Sequence, residues 1–366
     1  MVPFHPPTPP FPSAGPKRRI IRRRPVVAAA VLTPLLALGV IRTADAIPSS
    51  NNLDNKGRGL NILLVGTDGR DTITPREKKK FRLGGVACDC TDTMMLVHIA
   101  QNRKRASVVS IPRDSFAQLP AHQDRRTGER HGTHPVKING AYAEGGAGLS
   151  MRTVEKMTGV TIDRFLAVDF SRFMKAVDAI GGVDICTARP LKDPVTGLGL
   201  SPGTHRLNGG ESLRFARSRK VDGSADFGRM QRQQRFVVSF IKKLRADGTM
   251  RSPARLAKLT DVLLSGPRTE RNVTLPDLVS LARDMRGITL SSLEFASVPV
   301  KGFHPDIEGV GSTIDWDEEK ADAVFATMRK DRPLSEAKAA LPSRPGATTA
   351  RQGEFVPVKG SRIGCG

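Results

Sequence analysis

Short uninterrupted apolar runs alternate with longer segments of helical periodicity along most of the chain. LNILLV (60–65), TMMLVHI (93–99) and ASVVSI (106–111) have the length of buried strands, and Gly66 and Pro112 close the first and third. Only AQNRKR separates the second run from the third. Six residues cannot make a parallel crossover, so this pair reads as an antiparallel hairpin. LSMRTVEKMTG predicts a helix with Ser150 near its start and Gly159 at its close. RFLAVDF predicts a strand, and SRFMKAVDAIGG a helix capped by Ser171 and ended by glycine. GGESLRFARS predicts a short helix. MQRQQRFVVSFIKKL predicts an amphipathic one, with Met230, Val237, Ile241 and Leu244 on one stripe. SLEFASVPV is a late strand, and DWDEEKADAVFATMRKD a charged helix with Val324, Phe325 and Met328 inward. Strands interleaved with helices imply an α/β layered fold around a mixed sheet. No internal repeat is present.

The ends of the chain have a different character. Residues 1–24 carry six basic residues and no acidic one, and their proline-rich start cannot pack. Residues 25–41, PVVAAAVLTPLLALGVI, hold no charge over 17 positions, and a spanning helix needs roughly 17–25. The basic block before this run favours a cytoplasmic tail, a signal anchor and an exported body. A cleaved signal peptide is the alternative, because Ala44-Asp45-Ala46 fits a small-residue cleavage site. Residues 42–58 read as a linker and residues 59–331 as the extracytoplasmic folded domain. Residues 332–366, rich in proline, alanine and charge, read as a disordered tail.

Charge narrows the function. The chain carries 58 Lys and Arg against 36 Asp and Glu, a net +22, which points to an anionic partner. Aromatic residues make up only 5%, so the stacking platforms of a single-strand nucleic-acid binder are missing. Six arginines and one lysine crowd into residues 212–236, SLRFARSRKVDGSADFGRMQRQQRF, beside only Asp222 and Asp226. Arg217 and Arg219 face one way if their segment is extended. Arg229 and Gln233 share one face at the start of a helix, where anions are favoured. Arginines bracketing a glycine-containing loop suit a pyrophosphate clamp better than a DNA-reading helix. Arg214, Arg232 and Arg235 are adequately explained as a solvated face.

Three more polar groups fall at strand ends: Asp68 after the first strand, Asp92 before the second and Arg113 after the third. The hairpin puts Asp92 beside Arg113, and Asp68 joins them if the first strand runs parallel to the third. Two carboxylates and an arginine at one sheet edge suit Mg²⁺ with a phosphate. Taken singly, each of the three also reads as a turn cap. No phosphate-binding P-loop, HExxH or GxSxG occurs, and the seven histidines are scattered without forming a ligand cluster. His98 reads as a core or edge residue rather than a base. Cys88 and Cys90 (CDC), Cys186 and Cys365 suit an oxidising compartment. A bridge from Cys186 to Cys88 or Cys90 is expected, with Cys365 unpaired or taking the remaining one. Free buried thiols are the bland alternative.

In order, NILLVGTDGRD, TDTMMLVHI, SVVSIPRDS, KINGAYAEGG, VDFSRFMKAVDAIGGVDI, LNGGESLRFARSRK and DFGRMQRQQRF resemble the LytR–CpsA–Psr family of cell-envelope proteins, over about residues 60–245. The resemblance implies a three-layer α/β/α sandwich around a mixed sheet, behind one membrane helix. It implies Mg²⁺-assisted transfer of a phospho-glycopolymer from a polyprenyl-pyrophosphate carrier to peptidoglycan at the cell membrane, with no role for nucleic acid. Asp68 and Asp92 match the family's metal-binding aspartates. Arg113, Lys137, Arg217, Arg219, Arg229 and Gln233 match its pyrophosphate contacts. The CDC and GGVDIC cysteines are similar to those of actinobacterial members. Gly69-Arg70-Asp71 after Asp68 departs from the pattern, since many members have a small hydroxyl residue first. A membrane-tethered regulator and a non-catalytic lipid-binding protein are the alternative readings.

Overall fold

A computed structural model of the protein describes residues 59–70, 73–84, 90–264, 274–340 and 356–365. Residues 1–58, with the basic tail, the uncharged run and the linker, lie outside the described residues. Among the described residues no helix is long and apolar enough to cross a membrane.

The three apolar runs form strands β1 (Leu60–Thr67), β2 (Thr91–Ile99) and β3 (Ala106–Ile111) at the centre of a six-stranded mixed sheet. β2 pairs antiparallel with both neighbours, so β1 and β3 run the same way. Arg164–Asp169 adds parallel to β1, and Leu293–Ser297 parallel to β3. Side chains alternate across the sheet as the pleat requires. Leu63, Val65, Met94, Leu96 and Val109 face one layer of helices, Gly140–Thr158, Glu318–Arg329 and Leu334–Ala340. Leu60, Ile62, Met95, Ile99 and Val108 face the other, where Val238 of the Ala225–Ala246 helix and Leu281 of Leu275–Asp284 pack. The mixed α/β architecture is therefore the expected one, and Val324, Phe325 and Met328 are buried as read.

Local boundaries shift for identifiable reasons. Asp169 rather than Ser171 caps the helix Phe170–Ala179, its carboxylate accepting the Arg172 N–H at 2.8 Å. The Gly140–Thr158 helix begins ten residues before Ser150 and runs through a break at Gly145–Gly146. Gly159 ends it in the left-handed conformation at φ 64°, as expected. His98 is buried, with Nδ1 2.7 Å from the Asn61 amide oxygen and Nε2 2.9 Å from Asp331, in keeping with a core role.

The helix Gly209–Arg217 lies against Phe170–Ala179 with no room for a side chain between them. A Cβ on Gly209 would fall 2.2 Å from the Met174 carbonyl oxygen. Gly209→Ala is therefore expected to destabilise the protein by at least about 1–3 kcal/mol, because the obstacle is backbone. Urea unfolding measures this, and an unchanged midpoint would show that the two helices separate at no cost.

Two readings of the C-terminal region are corrected. Residues 332–366 are not a featureless tail, and the folded domain does not stop at 331. Leu334–Ala340 is a helix that buries Leu334 and Ala337 in the core, and Val358–Lys359 adds antiparallel to Leu293–Ser297 as the sheet's last strand. Proline- and alanine-rich composition hid two short elements whose order comes from docking rather than from their own propensity. The expected bridge from CDC to Cys186 is replaced by Cys186–Cys365, with Cα atoms 4.7 Å apart. The returning chain end brings Cys365 to the strand Val183–Thr187, which no local spacing could reveal. Cys90 is also disulfide-bonded.

Candidate functional site

β1 and β2 lose register between Gly66 and Thr67, and this irregularity sits where Asp68 and Asp92 leave the sheet. The Asp68 N–H donates to the Cys90 carbonyl at 3.3 Å, which keeps the two chain segments together. Asp92 accepts from Arg113 Nη1 at 2.5 Å, so the hairpin edge assembles as its antiparallel pairing requires. Asp68 is buried and takes a bidentate fork from Arg70, with Nε and Nη2 each at 2.5 Å. Arg70, which sequence reasoning noted only as a departure, also donates to the carbonyls of Leu83 and Gly84.

Above this edge, two cavities meet. A cleft of about 670 Å³ is lined by Asp114, Lys137, Arg217, Arg219, Asp226 and Phe303. A second cavity of about 450 Å³ runs beneath it, walled by apolar side chains such as Leu166, Phe170, Phe173, Val177, Phe236 and Phe240. Asp92, Arg113, Arg229 and Gln233 reach this second cavity from its polar end, and Arg217 and Arg219 line both. The strand Arg164–Asp169 and the helices Phe170–Ala179 and Ala225–Ala246 furnish the apolar wall. Val195 and Phe303, the most exposed large apolar residues among those described, sit on the cleft.

The arginines are held in place by few carboxylates. Arg219 forks onto Asp226, Arg229 Nη2 is 3.5 Å from the same carboxylate, and Arg113 Nε is 3.9 Å away. Burial opposes ionisation of Asp226, but these guanidinium groups hold its carboxyl below the usual range. That makes Asp226 a poor proton acceptor near neutral pH. Burial pushes Arg229 down to about 10, so it stays charged at neutral pH, and it lowers Arg217 as well. Arg217 stacks over the Phe170 ring at 5.0 Å. Arg217 Nη1 and Arg229 Nε are buried with no hydrogen-bond partner. An unpaired buried N–H on a cation is costly, and an anionic oxygen entering the cavity would relieve it.

Seven of the eight residues read from the sequence as site residues reach these two cavities. Asp68 stands just behind, close enough that its charge acts on Arg217. Lys137 touches only the upper cleft, with Nζ 3.9 Å from Asp114. Arg232 is misread as solvated. It is 4% exposed and donates twice to the Ser218 carbonyl and once to Asp222, which ties the clamp loop to the helix. Arg235 is half-buried, and Arg214 donates to the Lys80 carbonyl.

The family model described as the LytR_cpsA_psr family matches residues 41–330. The chain belongs to the LytR–CpsA–Psr family. A relative named a probable cell wall biosynthesis protein, LcpB of Corynebacterium glutamicum, is 28% identical over 329 residues, covering 86% of this chain and 74% of the relative. A polyisoprenyl-teichoic acid–peptidoglycan teichoic acid transferase, TagV of Bacillus subtilis, is 26% identical over 77% of this chain and 71% of its own length. The solved structure of B. subtilis TagV superposes with a TM-score of 0.55 at 23% identity, covering 75% of this chain and 97% of that one. A structure described as TagT bound to LI-WTA gives 0.54 at 25% identity, over 75% and 90%. These likenesses support the mixed α/β fold of the LytR–CpsA–Psr family.

The residues present suit a magnesium ion. Asp68 and Asp92 are hard oxygen donors on adjacent chain segments. Each carboxylate oxygen engaged by an arginine keeps a second lone pair, and a Mg²⁺ site takes one or two carboxylates plus waters and phosphate oxygens. Elsewhere, the expectation of scattered histidines is corrected: His122, His131 and His134 come together beside Glu144.

Proposed function

We propose that the protein transfers a phospho-glycopolymer from a polyprenyl-pyrophosphate carrier to peptidoglycan. The observation that carries this reading is the pair of unpartnered buried guanidinium nitrogens, Arg217 Nη1 and Arg229 Nε, at the junction of a polar cleft and an apolar cavity. An amphiphile with a prenyl tail, a pyrophosphate and a glycan has those three chemistries in that order. The names of the relatives, a cell wall biosynthesis protein and a teichoic acid transferase, support the same class of reaction.

The tail packs among Phe170, Phe173, Phe236 and Phe240, and the phosphates meet Arg113, Arg217, Arg219 and Arg229. Gln233, held by the Ala216 carbonyl, and Lys137 contribute further donors. A hydroxyl of the peptidoglycan acceptor attacks the phosphorus that bears the glycan. The new O–P bond forms as the bridging P–O bond breaks, the hydroxyl proton leaves, and prenyl monophosphate departs. The arginines stabilise charge on the non-bridging oxygens and on the leaving phosphate. Asp68 and Asp92 would hold magnesium, which would supply further positive charge against the phosphates. The apolar run at 25–41 would anchor the protein in the cell membrane with the folded body outside, where its glycan substrates are.

Purified protein incubated with lipid-pyrophosphate glycan and peptidoglycan fragments should form a phosphodiester product and free prenyl phosphate, faster with Mg²⁺. Lipid binding without product would leave a non-catalytic carrier instead. The cavity makes a second demand on the same assay. Removing one isoprene unit from the part of the tail it encloses should weaken binding at least about tenfold, since each buried CH₂ is worth roughly 0.8 kcal/mol. Equal affinity for short and long prenyl chains would mean that the apolar cavity does not take the tail.

A further inference from the structure

The histidine cluster is separate from the transfer site and has its own chemistry. It is built by a β-hairpin extension in which His122–Gln123 pairs with Arg130–His131, and Phe116–Leu119 with His134–Lys137. Glu144, on the helix that follows, closes it. His122 Nε2 is 3.2 Å from Glu144 Oε2, and His134 Nε2 is 3.0 Å from the same oxygen. One ligand atom from each of His122, His134 and Glu144 falls within 4.8 Å of the others.

The tautomers follow from the remaining ring nitrogens. His122 Nδ1 is 2.9 Å from the Pro120 carbonyl and His134 Nδ1 is 3.0 Å from the Gly132 carbonyl. A carbonyl can only accept, so each Nδ1 carries the proton, and in the neutral ring each Nε2 presents a lone pair. Two lone pairs then converge on a carboxylate, three electron-rich atoms with no hydrogen among them. The His122 side chain is fully buried, and its Nε2 makes no hydrogen bond. A metal cation between these atoms removes the repulsion; a proton on Nε2, donated to Glu144 across the 3.0 Å His134 contact, is the competing arrangement. The backbone bonds at Nδ1 are also the usual outer-shell arrangement of a metal-bound histidine.

We propose that His122, His134 and Glu144 bind a divalent transition metal, with Zn²⁺ the best fit. Two imidazoles and a carboxylate are a common zinc set, and zinc ligands at about 2.0–2.2 Å in a tetrahedron stand roughly 3.3 Å apart, close to the two histidine–Glu144 separations of 3.2 and 3.0 Å. His131, whose ring centroid is 5.7 Å from His122 and 5.5 Å from His134 and whose buried Nε2 makes no hydrogen bond and is 4.0 Å from Glu129 Oε2, or a water, completes the four. The metal would join the hairpin to the start of the Gly140–Thr158 helix. The strand carrying His134 ends at Lys137 in the cleft, about 10 Å away, so the site steadies one wall of the substrate cleft.

The test uses the full chain, freed of any affinity tag and stripped with a chelator, and Zn²⁺ alone titrated against a chromophoric competitor. One equivalent should bind and raise Tm. His134→Gln and Glu144→Gln, at partly exposed positions, should each weaken binding at least tenfold, whereas His205→Gln, an equally half-buried histidine elsewhere, should not. Should the variants fail to fold, Co²⁺ on the unaltered protein decides: intense visible bands of a tetrahedral site support the proposal, and the faint spectrum of a hexa-aquo-like ion overturns it. Failure to bind one equivalent, or equal affinity in all three variants, also overturns it and leaves a protonated histidine pair beside Glu144. Neither readout depends on glycopolymer transfer.

Discussion

Arg229→Lys is expected to reduce glycopolymer transfer by tenfold to a hundredfold while the protein stays folded. Arg229 is 5% exposed, sits on the Ala225–Ala246 helix, and presents a buried Nε with no partner beside Asp226. Lysine keeps the charge but loses the planar fork that reaches Asp226 and a phosphate oxygen together. Losing one charge-assisted hydrogen bond to a buried phosphate costs roughly 1.5–3 kcal/mol. Arg217→Lys should behave similarly, because Arg217 shares the junction and has its own unpartnered nitrogen. Arg232→Lys should act differently. Its bonds to the Ser218 carbonyl and Asp222 are internal, so lower thermal stability should accompany any loss of activity. Lipid-pyrophosphate binding, transfer rate and Tm for the three variants, at low and moderate salt, separate a clamp from general charge attraction. If the Arg229 and Arg217 variants retain full transfer, the positive cleft acts only through net charge.

Breaking the Cys186–Cys365 bridge by Cys365→Ser is expected to lower stability by roughly 2–5 kcal/mol. The cysteines are 179 residues apart, so the bridge closes a long loop and restricts the unfolded chain strongly. It also fastens the segment that supplies the last sheet strand, Val358–Lys359, to the Val183–Thr187 strand. Cys186→Ser should match Cys365→Ser, and the double substitution should add little, because one bond is lost in all three. Cys90 is in a bridge too, so reductant should lower the unaltered protein further than either single substitution does. Guanidinium unfolding with disulfide mapping checks this. A Cys186 peptide linked to Cys88 or Cys90 would sink it.

The motifs around the sheet edge were legible because the information is local. Strand runs end in Asp68 and Arg113, a six-residue connection forces the hairpin, and β2 between antiparallel neighbours brings Asp92 to the same edge. Apolar residues at helical spacing have to face something, but of the stripe read on MQRQQRFVVSFIKKL only Val237 lines the apolar cavity, while Ile241 packs in the core. Polar residues carry no such signal. Arg229 and Arg232 are three apart on one helix and look alike in the chain, yet one faces a cavity with a bare nitrogen and the other is saturated by Ser218 and Asp222.

From the sequence alone came the layered α/β class, the family and seven residues that line the two cavities, because hydrophobic periodicity and glycine-marked turns act over a few neighbours. Tertiary structure decided which arginines are free for an anion, that Asp226 is tied up by Arg219, Arg229 and Arg113, and that Cys186 meets Cys365. It also brought His122 and His134 to Glu144 across a hairpin and a helix start. Each of these depends on which partner a polar or thiol group finds after the core has packed. That partner is set by three-dimensional proximity, which spacing along the chain does not record.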